Sequence, residues 1–137
     1  MTVVIDSAAT LAMALPDEGG EMATAVDAAM RQGTPFFAPA HWSIEVANGV
    51  LMAERRKRIT QADARAALNF LRHLPIQIDG ELARHAFAES SALARQYGLT
   101  AYDAAYLELA MRRRASLATL DAALRKAAAA AGVAVFA

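Results

Sequence analysis

The sequence predicts a three-layer α/β/α fold, in which helices cover both faces of a central, mostly parallel sheet of about five strands. Short β-branched or aromatic runs alternate along the chain with longer, alanine-rich segments of helical period. This alternation is typical of a parallel sheet covered by helices. The chain has 137 residues, of which 56% are hydrophobic, and this is enough apolar material for one shared core. We therefore predict a single domain over residues 1–137.

Each element follows from local patterns. The predicted strands are 2–6, 35–39, 75–79, 115–120 and 133–136. The predicted helices are 7–14, 20–32, 41–57, 60–73, 80–97, 101–114 and 121–131. Gly33, Gly98 and Gly132 suit helix C-terminal caps, where a positive φ is favoured. Thr60 and Asp79 suit N-caps of the helices that follow them.

The composition excludes several classes of protein. The 14 basic and 14 acidic residues cancel, so nucleic acid would have to be bound by local basic patches. The absence of cysteine excludes disulfides and thiolate metal sites, and His41, His73 and His85 show no metal-ligand spacing. The N-terminus lacks the features of a secretory signal, and the longest apolar run, 127–137, is shorter than the roughly 20 residues of a membrane span. We expect a soluble, cytoplasmic protein.

Four acidic residues lie in or beside apolar stretches: Asp6, Glu45, Asp103 and Asp121. A buried carboxylate is costly unless it has a partner, caps a helix or binds an ion. Asp6 and Asp121 each follow a predicted strand and suit an N-cap, while Thr100-x-x-Asp103 has the form of a capping box. Glu45 is the only charge from Trp42 to Ala53, and its alternative role is that of an acid in a first helical turn.

The joint pattern suggests more than helix capping. Ligands of open parallel sheets gather at the carboxyl ends of the strands, near the switch point of strand order. All four acids can face that edge, because Asp6 and Asp121 follow strands while Glu45 and Asp103 begin helices. Carboxylates brought together repel one another, and a hard divalent cation such as Mg²⁺ or Mn²⁺ relieves this repulsion.

The segments that carry these acids resemble successive motifs of one family. They are Val4-Ile5-Asp6-Ser7-Ala8, Ile44-Glu45-Val46-Ala47-Asn48 preceded by Ala38-Pro39, Leu99 to Leu107 around Asp103, and Leu117-Ala118-Thr119-Leu120-Asp121. In order and spacing, nearly from end to end, they resemble PIN-domain ribonucleases and, among these, the compact VapC-type toxins of toxin-antitoxin pairs.

The resemblance implies a function. It implies that Asp6, Glu45, Asp103 and Asp121 form a catalytic Mg²⁺ or Mn²⁺ pocket that cleaves RNA endonucleolytically, with Ser7 and Thr119 in supporting positions. It also implies a small VapB-like antitoxin as inhibitor, bound in part between the helices 41–57 and 60–73, and a homodimer.

Two basic clusters, Arg55 to Arg58 and Arg112 to Arg114, fall near predicted helix C-termini. Cations there are favoured by the helix dipole, so a solvated face explains them without a ligand. The alternative is contact with RNA phosphates, for which Arg112, Arg113, Arg114 and Arg125 are the candidates.

Two other functions stay open at this point. A phosphorylated receiver domain has a similar length, alternating order and an acidic Mg²⁺ pocket, and Asp79 would be its phosphoacceptor. Against it, Asp6 lacks an adjacent acid and the C-terminal segment lacks the expected lysine. The third possibility is a binding module that keeps the fold without catalysis.

Overall fold

The computed structural model of the chain describes residues 1–136. Its parallel sheet contains β1 (Val3–Ile5), β2 (Phe36–Pro39), β3 (Ile76–Asp79) and β4 (Ser116–Ala118) in the order β3-β2-β1-β4. The α-helices are α1 (Ser7–Ala14), α2 (Glu21–Arg31), α3 (Trp42–Arg55), α4 (Gln61–Arg72), α5 (Leu82–His85), α6 (Ser91–Tyr97), α7 (Ala101–Arg113) and α8 (Ala122–Ala130). Among residues 1–136, no helix is both long and apolar enough to cross a membrane.

The sheet is buried on both faces, which confirms the three-layer α/β/α prediction. Because side chains alternate along a strand, Val3 and Ile5 point to one face and Val4 points to the other. Val3 and Ile5 pack with Val26 of α2, whereas Val4 packs with Leu107 of α7 and with residues of α3 and α8. The central strand β1 therefore reads as a continuous apolar run, as expected for a parallel sheet between two helical layers, whereas the edge strand β3 is partly exposed.

The fifth predicted strand, 133–136, is reduced to a single bridge. Val135 pairs in parallel with Leu117, and two backbone hydrogen bonds hold the segment there, from Leu117 to the Ala134 carbonyl and from Phe136 to the Leu117 carbonyl. The described structure therefore has four strands where about five were predicted, although the residues expected at that edge of the sheet do lie there.

The prediction of one helix over 80–97 is also wrong in its middle. The segment consists of α5, a π-helical turn (Ala86–Ser90) and α6. The Ser91 hydroxyl donates to the Ala86 carbonyl at 2.6 Å, five residues back, which stabilises the wider turn. Helix termination was predicted correctly at Gly33, Gly98 and Gly132, whose φ values are +87°, +65° and +78°.

The strand order determines where a ligand site can lie. From β1 the chain passes to β2 and β3 on one side of the sheet, and β4 lies on the other side of β1. The switch point of the sheet is therefore between β1 and β4, and the crevice outside the carboxyl ends of these strands is the expected ligand site.

Helices α1 and α3 pack closely behind that crevice. A Cβ added at Gly49 of α3 would lie 2.5 Å from Leu11 Cδ1 of α1, so the missing side chain allows this close approach. The packing holds the start of α1, which follows Asp6, near the start of α3, which carries Glu45.

Candidate functional site

Asp6 lies directly after β1 and is buried, with 4% of its surface exposed. It is the N-cap of α1, and its Oδ1 atom accepts a hydrogen bond from the Ala9 amide at 2.8 Å. Its Oδ2 atom accepts a hydrogen bond from the hydroxyl of Thr119. The capping role predicted for Asp6 is confirmed, and the cap holds its carboxylate at the switch point.

Thr119 links two of the acids. Its buried hydroxyl donates to Asp6 and accepts a hydrogen bond from the Asp121 amide at 3.0 Å. Asp121 is in turn the N-cap of α8, because its Oδ1 atom accepts from the Leu124 amide at 2.8 Å. One threonine therefore ties the segment after β4 to the end of β1 and fixes Asp6 relative to Asp121.

Glu45 lies in the first turn of α3, and a residue of α7 holds its side chain. The Tyr106 hydroxyl donates a 2.5 Å hydrogen bond to Glu45 Oε1. On the other side, Nε2 of His41 lies 3.9 Å from the same oxygen. The Glu45 side chain remains 31% exposed, so it faces solvent at the crevice while one oxygen is held by the protein.

Asp103 lies in the first turn of α7 and is half-buried. Its amide donates to the Thr100 hydroxyl at 3.1 Å, which is the N-cap contact predicted from the Thr100-x-x-Asp103 pattern. Helix α7 thus begins at the crevice and presents Asp103 there.

The pKa values of Asp6 and Asp103 respond to the charges of the neighbouring acids. Burial, opposed by the Thr119 and Ala9 hydrogen bonds, raises the pKa of Asp6 to about 6, with further contributions from the charges of Asp103 and Asp121. Burial also raises the pKa of Asp103, as do the charges of Asp121 and Glu45. The fold therefore brings Asp6, Glu45, Asp103 and Asp121 together, and we call this group the acid site.

Two supporting residues complete the acid site. Tyr106 is fully buried, and its pKa is raised strongly, first by burial and then by its hydrogen bond to Glu45. Ser7, at the start of α1, lies near enough to lower the pKa of Tyr106 slightly. The sequence pattern placed Ser7 and Thr119 beside the acids but did not single out Tyr106. Its position three residues after Asp103, on the same helical face, is the signal that points to it.

His41 and Tyr102 form a row of rings with Tyr106, which we call the aromatic row. The ring centroids of His41 and Tyr106 are 4.9 Å apart, and those of His41 and Tyr102 are 6.0 Å apart. His41 Nε2 lies 3.0 Å from the Tyr102 carbonyl oxygen, which can only accept, so Nε2 carries the proton. The sequence shows only that His41 lacks metal-ligand spacing to the other histidines, and it did not predict this position.

The donor set of the acid site is suited to a hard divalent cation. It offers only carboxylate oxygens, which are the ligands that Mg²⁺ and Mn²⁺ prefer. Within residues 1–136, no three acidic or histidine side chains are arranged to hold an ion directly. Asp6, Glu45 and Asp121 each direct at least one oxygen to a protein donor. Each carboxylate has about four lone-pair sites, so these hydrogen bonds leave capacity for a cation.

Two of the predicted RNA-binding arginines are engaged elsewhere. Arg112 and Arg113 both bind the buried Asp79, at 2.8–3.1 Å, and Arg112 also binds Glu108 at 2.8 Å. We call Asp79, Glu108, Arg112 and Arg113 the arginine clamp. Arg114 ends α7 with a φ of +53° and is exposed.

Arg125 is placed differently, because it lies beside the acid site. Its Nη1 atom donates to the Thr119 carbonyl at 3.2 Å. In the other basic cluster, Arg58 pairs with Asp17 and Glu18 at 2.8 Å, so this residue has a structural role.

The arginine clamp also excludes the receiver-domain hypothesis. A phosphoacceptor must be free to react, whereas Asp79 is 3% exposed and bound by two guanidinium groups, and its Oδ1 atom accepts from the Glu81 amide. The sheet order β3-β2-β1-β4 also differs from the 2-1-3-4-5 order of receiver folds.

A family model described as the PIN domain matches residues 3–130. Ribonuclease VapC3 of Pyrobaculum aerophilum is 34% identical to this chain over 125 residues, which cover 88% of this chain and 90% of that protein.

Solved structures share the fold at lower identity. FitAcB from Neisseria gonorrhoeae has a TM-score of 0.68 and 17% identity, with 99% of this chain and 97% of that chain covered. VapC20 from Mycobacterium tuberculosis, a toxin that cleaves the sarcin-ricin loop, has a TM-score of 0.64 and 15% identity, with 98% of each chain covered.

Proposed function

The chain belongs to the PIN-domain family, and from this we propose that it is an endoribonuclease that hydrolyses RNA phosphodiester bonds with Mg²⁺ or Mn²⁺. The observation that carries the proposal is the convergence of four carboxylates, from four different segments, at the switch point of the sheet. The names of its relatives, one a ribonuclease and one a toxin that cleaves the sarcin-ricin loop, support RNA as the substrate.

In this proposal the acid site binds the cation through Asp6, Glu45, Asp103 and Asp121. When bound, such an ion supplies positive charge that polarises a phosphodiester and activates water for attack. Thr119 fixes Asp6 relative to Asp121, and Tyr106 fixes the Glu45 carboxylate. These contacts orient the carboxylates before a substrate arrives, which reduces the reorganisation required during the reaction.

Arg125 is the arginine best placed to contact the RNA backbone. It is exposed, and its guanidinium lies against the carbonyl of Thr119, beside the acid site. Replacement of Arg125 by Gln should weaken RNA binding and reduce its salt dependence, because one phosphate contact is lost.

The experiment is an RNA cleavage assay with protein purified free of any inhibitor. Wild-type protein should cleave RNA with Mg²⁺ or Mn²⁺ and should stop when a chelator is added. Asp103→Asn should lower the rate at least about 100-fold, because it removes one carboxylate of the acid site without changing side-chain size.

The matched control is Asp27→Asn. Asp27 forms an exposed ion pair with Arg31 on α2 at 2.8 Å, so this variant also loses one carboxylate but should retain full activity. Undiminished cleavage by both Asp6→Asn and Asp103→Asn would disprove the site assignment. Metal binding without cleavage over a broad panel of RNAs would favour the non-catalytic binding module.

We further propose that the protein is the toxin of a VapBC-type pair, inhibited by a small antitoxin. An apolar groove with a volume of about 500 Å³ lies between α3, α4 and β3, and it supports the binding of an antitoxin segment. Its lining residues include Trp42, Val46, Leu68, Leu71 and Ile78. The product of a small neighbouring reading frame, co-expressed with this chain, should copurify with it and block cleavage. Leu68→Glu should weaken that complex while sparing cleavage.

We also propose that the protein forms a homodimer, which size-exclusion chromatography should show.

A further inference from the structure

We propose that the exposed ring of Tyr102 stacks on an unpaired base of the RNA substrate beside the acid site. The inference rests on the proposed ribonuclease function and names a substrate-positioning residue of that site. Three features support it: the exposure of Tyr102, the aromatic row that orients it, and the apolar residues around the acids.

Tyr102 is a large aromatic residue that the fold leaves in solvent. It is 66% exposed in the first turn of α7, directly before Asp103. Tyrosine offers a large and rigid contact surface, because only two side-chain torsions are fixed on binding. A ring next to a catalytic carboxylate is therefore available to a ligand that reaches the acid site.

The aromatic row holds Tyr102 at the edge of the acid site. His41 donates from Nε2 to the Tyr102 carbonyl at 3.0 Å, which fixes the backbone at the start of α7. The ring of His41 is tilted by 41° against the ring of Tyr102 and contacts Tyr106 on its other side. Since the same Nε2 atom lies 3.9 Å from Glu45 Oε1, the row connects the exposed ring to a carboxylate of the acid site.

Exposed apolar side chains precede three of the four acids. Ile44 before Glu45 is 72% exposed, Tyr102 before Asp103 is 66% exposed, and Leu120 before Asp121 is 46% exposed. Carboxylates at the centre with apolar groups at the rim match the chemistry of a nucleotide chain, in which a charged phosphate is flanked by bases with flat apolar faces. In a duplex those faces are covered by neighbouring bases, so stacking on Tyr102 requires an unpaired segment.

The first test measures cleavage kinetics and RNA binding. Tyr102→Ala should raise KM for a single-stranded RNA roughly tenfold and change kcat less, because stacking contributes to binding. Tyr102→Phe and Tyr102→Trp should keep KM near the wild-type value. Fluorescence anisotropy in an Asp6→Asn background should show the same loss of affinity on adding Tyr102→Ala, and this readout does not depend on activity.

The matched control is Phe87→Ala. Phe87 is 97% exposed on the π-helical turn, so this variant removes a comparable exposed ring from a different segment. Its KM and Kd should equal those of the wild type. Tyr102→Ala and Phe87→Ala should each melt close to the protein in which they are made, since neither ring is buried.

The second test identifies the stacked base. Single abasic positions are moved along the RNA, and affinity is measured for proteins with and without Tyr102→Ala. At one position, the abasic substitution should weaken RNA binding by the protein that retains Tyr102. The same substitution should have little further effect on binding by Tyr102→Ala, because both changes remove the same stacking contact. A fully paired duplex of the same sequence should be cleaved much more slowly.

The outcomes separate the two proposals. If wild-type protein cleaves RNA and Tyr102→Ala has unchanged KM and Kd, the stacking inference is wrong while the ribonuclease function holds. The same conclusion follows if Tyr102→Ala weakens only the complex with the small inhibitory protein. If wild-type protein neither binds nor cleaves any RNA, both proposals fail.

Discussion

Two buried carboxylates lie at the carboxyl ends of two strands of the same sheet but have opposite surroundings. Asp6 after β1 is 4% exposed and Asp79 at the end of β3 is 3% exposed. Asp6 faces other acids, and burial and their charges raise its pKa to about 6. Burial also acts to raise the pKa of Asp79, but hydrogen bonds from Arg112, the Glu81 amide and Arg113 outweigh it and hold that pKa well below its ordinary range.

The comparison shows that burial alone does not identify a functional acid. A buried carboxylate bound by arginines has a structural role, and here it joins the end of β3 to the end of α7 through ion pairs. A buried carboxylate among other carboxylates reduces stability, and such an arrangement is characteristic of functional sites. The two regions should therefore respond to the same Asp-to-Asn change in opposite directions.

The largest expected effect on stability is that of Asp79→Asn. It removes the charge that Arg112 and Arg113 share, and we expect a loss of about 2–3 kcal/mol in the free energy of unfolding. The loss is smaller than for a fully buried pair, because the arginine side chains are 26% and 36% exposed. Urea unfolding of the chelator-treated protein measures it.

The pH dependence of this effect follows from the lowered pKa of Asp79. The stabilisation should be complete above the unfolded-state value of about 4 and should be lost as pH falls through the lower folded-state pKa. Asp27→Asn, on an exposed ion pair, is the control and should change stability by less than about 0.5 kcal/mol. A similar loss of stability for Asp79→Asn and Asp27→Asn would show that the arginine clamp stabilises the fold no more than an exposed ion pair does.

Asp6→Asn should have the opposite effect and raise stability at neutral pH while abolishing cleavage. The folded-state pKa of about 6 exceeds the unfolded value, and one pKa unit corresponds to about 1.4 kcal/mol. We expect a gain of about 1–2 kcal/mol, less than the pKa difference alone implies. The oxygen of the introduced side-chain amide accepts from the Ala9 amide more weakly than the carboxylate does, and its NH2 group cannot accept from the Thr119 hydroxyl.

The gain should depend on pH. Below about pH 4 the Asp6 carboxyl is protonated in both the folded and the unfolded protein. The charge of Asp6 then no longer contributes to any difference in stability between wild type and Asp6→Asn. The difference should grow between pH 4 and pH 6 and stay constant above it. A loss of stability at pH 7 in chelator would contradict the interpretation of Asp6 as a carboxylate held against repulsion.

The comparison also explains what the sequence could predict. The strand before Asp6 was predictable from a continuous β-branched run and the strand before Asp121 from a short apolar run, and both acids were predictable as helix caps and as members of one site. These roles are compatible, because a cap fixes the carboxylate that the site uses. The arginine clamp was not predictable. Asp79 and Arg112 are 33 residues apart, and the sequence around each residue does not identify the other as its partner.

Tyr106 and the fifth strand were missed for different reasons. Tyr106 falls on the apolar face of α7, and hydrophobic periodicity does not distinguish a core ring from one whose hydroxyl reaches a carboxylate. The segment 133–136 has a strand-like composition, but within residues 1–136 only two backbone hydrogen bonds join it to the sheet, both to Leu117, and they form a single bridge.

The smallest effect on stability is expected for Tyr106→Phe, which tests a carboxylate with a neutral partner. Glu45 has neither the arginines of Asp79 nor the full burial of Asp6, and a single 2.5 Å hydrogen bond from Tyr106 holds one of its oxygens. Because the side chain is 31% exposed, water can replace the lost donor, so stability should fall by about 0.5–1 kcal/mol.

Activity should respond more strongly than stability to this change. A Glu45 carboxylate that is free to rotate is no longer oriented for the cation, so Tyr106→Phe should lower kcat about tenfold and leave KM for RNA nearly unchanged. Tyr97→Phe is the matched control, since the Tyr97 hydroxyl accepts a 3.3 Å hydrogen bond from Gln96 at an exposed position. If the two variants lose the same stability and neither loses kcat, Tyr106 contributes to packing alone, and the orientation of Glu45 must come from α3 and His41.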